Sequence, residues 1–146
     1  MAPNKNRIGP GDLGIDLAKG TDTQVFRWLV ACLLFGARIS QDIAARAYKE
    51  LAALGVLTPS RLAEADWQEL VDALGRGGYR RYDESTAREL INLGQQVRDE
   101  YGGHLTRLRE SADTTEALVA RVQQFKGIGP AAGQIFVREL GPAWNV

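Results

Sequence analysis

The stretch QQFKGIGPAAGQIF, residues 123–136, carries the strongest chemical signal in the chain. Gly127 and Gly129 stand one residue apart between two amphipathic runs, and Pro130 follows. Glycines allow backbone angles closed to other residues and leave their amides uncovered. A proline at the first helical position opens a helix whose first turn offers unpaired N–H groups and a partial positive charge. The pattern predicts a tight helix–turn–helix reversal able to take a phosphate group. A dinucleotide-binding loop would need a strand before its glycines. Here ALVARVQQ has a helical pattern and the spacing is GxGxxxG, so that reading fails. A tight helical corner that binds nothing is the alternative left open by the glycines alone.

Other reactive side chains are scattered. GRGGYRRYD, residues 75–83, interleaves Arg76, Arg80 and Arg81 with Tyr79 and Tyr82. Such a cluster on a turn suits a phosphate backbone and exposed bases; its plain alternative is a solvated turn. Lys126, beside the first hairpin glycine, is placed for an added phosphate contact or for solvent. The single cysteine, Cys32, lies inside the apolar run WLVACLLF. It can form neither an internal disulfide nor a metal site unaided, and reads as a small core residue in a reducing, intracellular setting. His104 has no Cys, Asp or second His at ligand or triad spacing and reads as a surface histidine.

These residues must be held by helices. At 146 residues the chain reads as one domain with a real core. Its 18 basic and 18 acidic residues cancel, so any nucleic-acid site has to be a local patch. Residues 1–21, rich in Gly, Pro, Asn and Asp, predict a flexible or loosely packed arm, with the helical domain at 22–146. Residues 23–36, apolar almost all round, predict the central buried helix. Ser40, Thr58 with Pro59, and Asp66 with Glu69 mark the next three helix starts. A long helix begins near Asp83, another covers DTTEALVARVQQF, and the last runs from Pro130 to about Leu140. No stretch alternates with period two and no repeat recurs. The class is all-α, a compact bundle of seven or eight short helices. The amino end has no signal-peptide pattern and residues 28–35 are too short an apolar run to cross a bilayer, which predicts a soluble, cytoplasmic protein.

Three segments in order resemble the endonuclease III-like DNA glycosylase superfamily. FKGIGPAAGQIFVREL is similar to its helix–hairpin–helix, whose turn has the form hydrophobic-x-Gly-hydrophobic-Gly. FRWLVACLLFGARISQDIAARAYKEL is similar to its opening buried helix, polar loop and second helix. LVDALGRGGYRRYDESTARELI is similar to its glycine–aromatic turn and long helix. The resemblance spans residues 23–140.

It implies that main-chain amides around Gly127, Gly129, Ala131 and Ala132 hold a DNA phosphate, which positions the protein without reading sequence. It implies a monovalent cation, Na+ or K+, on the carbonyls of Gln123, Phe125 and Ile128. Arg38, in the loop GARISQD, matches the side chain that enters the gap left by a flipped-out nucleotide; a planar guanidinium can stack there. The alternative for Arg38 is packing against a helix end. The family's hairpin lysine, which forms a Schiff base in bifunctional members, is replaced by Ala131, so base removal here would be monofunctional. The family's catalytic aspartate would follow the second hairpin helix, but the sequence ends GPAWNV, and Glu139 is the only nearby carboxylate. The later helices and the four-cysteine iron–sulfur cluster of some members are missing, so the domain reads as incomplete at its carboxyl end.

The resemblance therefore implies a base-excision-repair protein that binds damaged or distorted duplex DNA and needs no cofactor. Two other classes remain: a non-catalytic DNA-binding module, and a helical protein-interaction domain, for which the zero net charge and apolar tail speak. The ending AWNV predicts a partner chain or self-association that covers it.

Overall fold

A computed structural model describes residues 8–145. Among these residues the chain is all-helical, without strands. The α-helices are α1 (Asp22–Phe35), α2 (Gln41–Leu54), α3 (Pro59–Ala63), α4 (Trp67–Arg76), α5 (Asp83–Tyr101), α6 (Thr115–Val122) and α7 (Pro130–Trp144). Two 3-10 segments complete the order, Pro10–Leu13 before α1 and Leu105–Ser111 between α5 and α6.

Helix starts lie where short polar side chains can satisfy an orphaned first-turn amide. Ser40 Oγ accepts the Ile43 N–H at 3.2 Å, and Thr58 Oγ1 that of Arg61 at 3.2 Å. Asp66 accepts from Glu69 at 3.1 Å and Thr114 from Ala117 at 3.1 Å. Helix α1 has Val25, Phe26 and every residue from Trp28 to Leu34 buried, and it packs against α2, α7 and the segment Leu105–Ser111. Helix α7 runs antiparallel to it. Ala132 lies by Gly36, the Trp28 indole N–H donates to Phe136 O at 3.3 Å, and Trp144 lies by Gly20. Helices α2, α3, α4 and α5 pack on one another beside this pair, and α6 packs on α7.

Three boundaries differ from the sequence expectation, one of them being that α6 ends at Val122 rather than continuing to Phe125. The part of the 1–21 arm that is described, residues 8–21, is packed rather than loose: Leu13, Ile15 and Leu17 are 9%, 3% and 7% exposed. Three apolar residues at every second position turn one face inward, a signal hidden among Gly, Pro and Asp. Asp16 N–H donates to Gln24 Oε1 at 2.7 Å, tying the segment to α1; residues 1–7 lie outside the described residues. Helix α7 continues past Leu140 to Trp144 through Pro142, and Asn145 closes it in the left-handed region at φ 58°. A proline one turn from a helix end removes a single hydrogen bond, and burial of Trp144, 3% exposed, favours continuing. The one bulky side chain of the apolar ending is thus covered within the chain.

Two contacts set the frame. Gly77, at the end of α4, approaches α2 so closely that a Cβ there would lie 2.6 Å from both N and Cα of Ala47. At the start of α1, Asp22 Oδ1 accepts the Thr106 N–H at 2.9 Å, and Oδ2 accepts from His104 Nδ1 at 2.9 Å. His104 is therefore a paired surface histidine, its partner being distant in sequence. Burial opposes the Asp22 charge, but the hydrogen bonds from Thr106 and His104 outweigh it and hold the carboxyl below its ordinary 3.8.

Gly77→Ala is predicted to lower unfolding free energy by about 1–3 kcal/mol, the cost of overpacking against backbone, read by urea denaturation. Because the folded-state pKa of Asp22 is depressed, its contribution is present above pH 3.8 and is lost as pH falls through the lower, folded value. Asp22→Asn is accordingly predicted to be less stable than wild type at neutral pH, with the gap closing below pH 3.8 in pH-dependent melts.

Candidate nucleic-acid interface

The carboxyl end of α1 gathers three segments that are far apart in sequence. Gly36 N–H donates to Cys32 O at 3.0 Å and Leu33 O at 3.3 Å, turning the chain into the loop 36–40. The Tyr79 hydroxyl, from the turn after α4, donates to Leu34 O at 3.1 Å. The turn after α6 arrives from the other side. A Cβ on Gly127 would lie 3.3 Å from Leu33 Cδ1, and one on Gly36 would lie 3.4 Å from Ala132 Cβ. Loop 36–40, turn 77–82 and turn 123–129 thus share one end of the molecule.

Phe125 and Ile128 anchor the last of these turns in the core at 0% and 3% exposure, leaving Lys126, Gly127 and Gly129 outside. Gly127 takes φ 94°, a conformation that L side chains rarely adopt. Gly129 caps α7 without a side-chain hydrogen bond, and the first α7 amide to find a carbonyl is Gly133, donating to Gly129 O at 2.9 Å. The amides of Gly127, Gly129, Ala131 and Ala132 meet no acceptor among the described residues. They coincide with the positive end of α7. Of the carbonyls expected to hold a cation, Phe125 O accepts the Ile128 N–H at 3.0 Å, while those of Gln123 and Ile128 meet no donor among the described residues.

Arg38, Arg80 and Arg81 are exposed. Arg81 holds its guanidinium 5.4 Å from the centroid of the half-buried Tyr82 ring. Arg76 is exposed as well, but its Nε donates to Glu50 Oε1 of α2 at 3.0 Å. That ion pair offsets the charge Arg76 was expected to offer.

Tyr79 is a correction. Its side chain is fully buried, so it cannot stack on a base. The ring fills the core, and its hydroxyl satisfies a carbonyl at the end of α1 that water does not reach. Burial pushes that hydroxyl up to about 12. Ala132 likewise contributes only its amide, its methyl being buried against Gly36. Glu139, half-buried, pairs with Arg138 at 3.0 Å and lies about 12 Å along α7 from Ala131 at the rise of a helix. It does not share the hairpin's surroundings. Cys32 is buried, which raises its thiol well above the ordinary range and leaves it unreactive.

One residue at this end was missed from the sequence. Glu89 of α5 lies directly against Gly127: a Cβ there would collide with its Oε2 and lie 3.1 Å from its Cδ. No side chain or amide among the described residues donates a hydrogen bond to it. Burial raises its carboxyl above 4.5, against the attraction of Lys126. The available signal was its spacing: Thr86, Leu93 and Val97 are buried, and Glu89 lies three and four residues from the first two, on the same side of α5.

No protein-family model matches the chain, and no curated protein does.

Tyr79→Phe is predicted to lower stability by about 1–3 kcal/mol, the cost of leaving Leu34 O unsatisfied in the core. At a temperature where the variant is folded, any duplex binding should match that of wild type. A loss of affinity without a loss of stability would return Tyr79 to the surface role the sequence suggested.

Proposed function

We propose that this chain binds damaged or distorted duplex DNA, as a protein of the endonuclease III-like glycosylase type. The observation that carries the reading is the meeting of four uncommitted amides with Arg38, Arg80, Arg81 and Lys126 at one end of α1. Amides and a helix start grip one phosphate, while the exposed arginines extend the grip along the backbone. Arg38, on its own loop, enters the stack where pairing is already weak, which is where a nucleotide leaves the duplex at least cost. A Na+ or K+ ion on the carbonyls of Gln123, Phe125 and Ile128 belongs to the same reading and would add positive charge under the turn. So does a cytoplasmic setting, with which the buried free thiol of Cys32 agrees.

Binding without base removal is the second reading, and one observation favours it. Glu139, the carboxylate nearest in sequence to the expected position, is engaged by Arg138 at a distance from the turn. A protein-interaction domain gains less support, since Trp144 of the apolar ending is already buried.

Reversing charge at Arg80 and Arg81 together is predicted to weaken duplex binding and to make the salt slope shallower by about two, read by fluorescence anisotropy over a salt series. Unchanged affinity would remove the arginine turn from the interface. A base-release assay on duplexes with uracil, oxidised or alkylated bases or mismatches, followed by alkali, separates the two readings. Strand breaks at the lesion mean base removal; binding without breaks means a binding module.

A further inference from the structure

Glu89 puts a carboxylate where the proposed site wants an anion. It touches the Gly127 turn, has no hydrogen-bond donor among the described residues, and has Lys126 as the neighbouring cation. From α1 the apolar side chain of Leu33 lies against the same glycine. A group bound on the hairpin amides therefore meets a fixed negative charge as well as the positive end of α7. Repulsive elements of this kind set specificity by penalising the wrong ligand more than the right one.

We infer that Glu89 makes the hairpin selective for a singly charged phosphodiester inside a nucleic-acid strand, against a terminal phosphomonoester or free phosphate. The inference rests on the phosphate-binding reading above. An internal phosphodiester carries one charge, and further strand contacts through Arg38, Arg80 and Arg81 offset its repulsion from Glu89. A phosphomonoester carries about two charges near neutral pH and, when free, brings no such contacts. Lys126 offsets part of the Glu89 charge, so the pair weakens phosphate binding without abolishing it. The site then holds continuous backbone and is not occupied by the phosphate ions of the surrounding solution.

The test is competition by inorganic phosphate against a labelled duplex, with chloride replaced so that ionic strength stays constant. Wild type should lose no more DNA to phosphate than to chloride. Glu89→Gln, which keeps the shape and removes the charge, should bind duplex about tenfold more tightly and be displaced by phosphate. Glu89→Asp, which keeps the charge, should discriminate as wild type does. Circular dichroism checks folding, and Glu89→Ala serves as the neutral variant if the amide does not fold. Equal affinity and equal phosphate sensitivity in wild type and the neutral variant would overturn the role of Glu89 while leaving DNA binding intact. Failure of wild type and variants alike to bind any duplex would overturn the DNA reading and this inference with it.

Discussion

A helix buried along most of its length carries carbonyls of its last turn into the core, where they need partners from the protein. Helix α1 is that case. Its last turn is closed by the Gly36 amide and by the Tyr79 hydroxyl on Leu34 O, and both devices bring other chain segments with them. Two residues before Tyr79, Gly77 lets the end of α4 lie against the backbone of Ala47. The turn after α6 sits on Leu33 and α7 starts beside Gly36. The end of α1 is therefore where loop 36–40, turn 77–82 and the turn after α6 meet, the second through a hydrogen bond and the third through packing.

That end of the molecule also concentrates charge in a protein with none to spare overall. Equal numbers of acidic and basic residues leave no long-range field to draw a polyanion in. The balance is local instead: Arg76 is neutralised by Glu50, Arg38, Arg80 and Arg81 remain exposed, and Lys126 faces Glu89. Under the proposed reading such a patch would hold plain backbone weakly, unlike a basic groove, which holds any duplex by counterion release.

Much of the fold was legible because several starts had a local chemical cause. Ser40, Thr58 and Asp66 all cap the helices their positions indicated. Gly127 was legible for the same reason, since φ 94° is a local demand, whereas Gly129 takes φ −90°, which makes no such demand. What was hidden depends on distant partners. Tyr79 looked like a surface aromatic among arginines until a carbonyl 45 residues earlier claimed its hydroxyl. Leu13, Ile15 and Leu17 looked like an arm until the core received them. Glu89 drew no reading from the sequence, and only the fold brings it against Gly127.

The central claim is that one end of α1 is the nucleic-acid face, and amide chemical shifts test it most directly. The labelled protein would be titrated with a duplex carrying a single mismatch. The account predicts shifts confined to residues 36–40, 77–82 and 126–133 with their immediate neighbours on α5, growing together with one affinity. Shifts centred at the opposite end of α1, around Asp22 and His104, or no shifts at all, would contradict it.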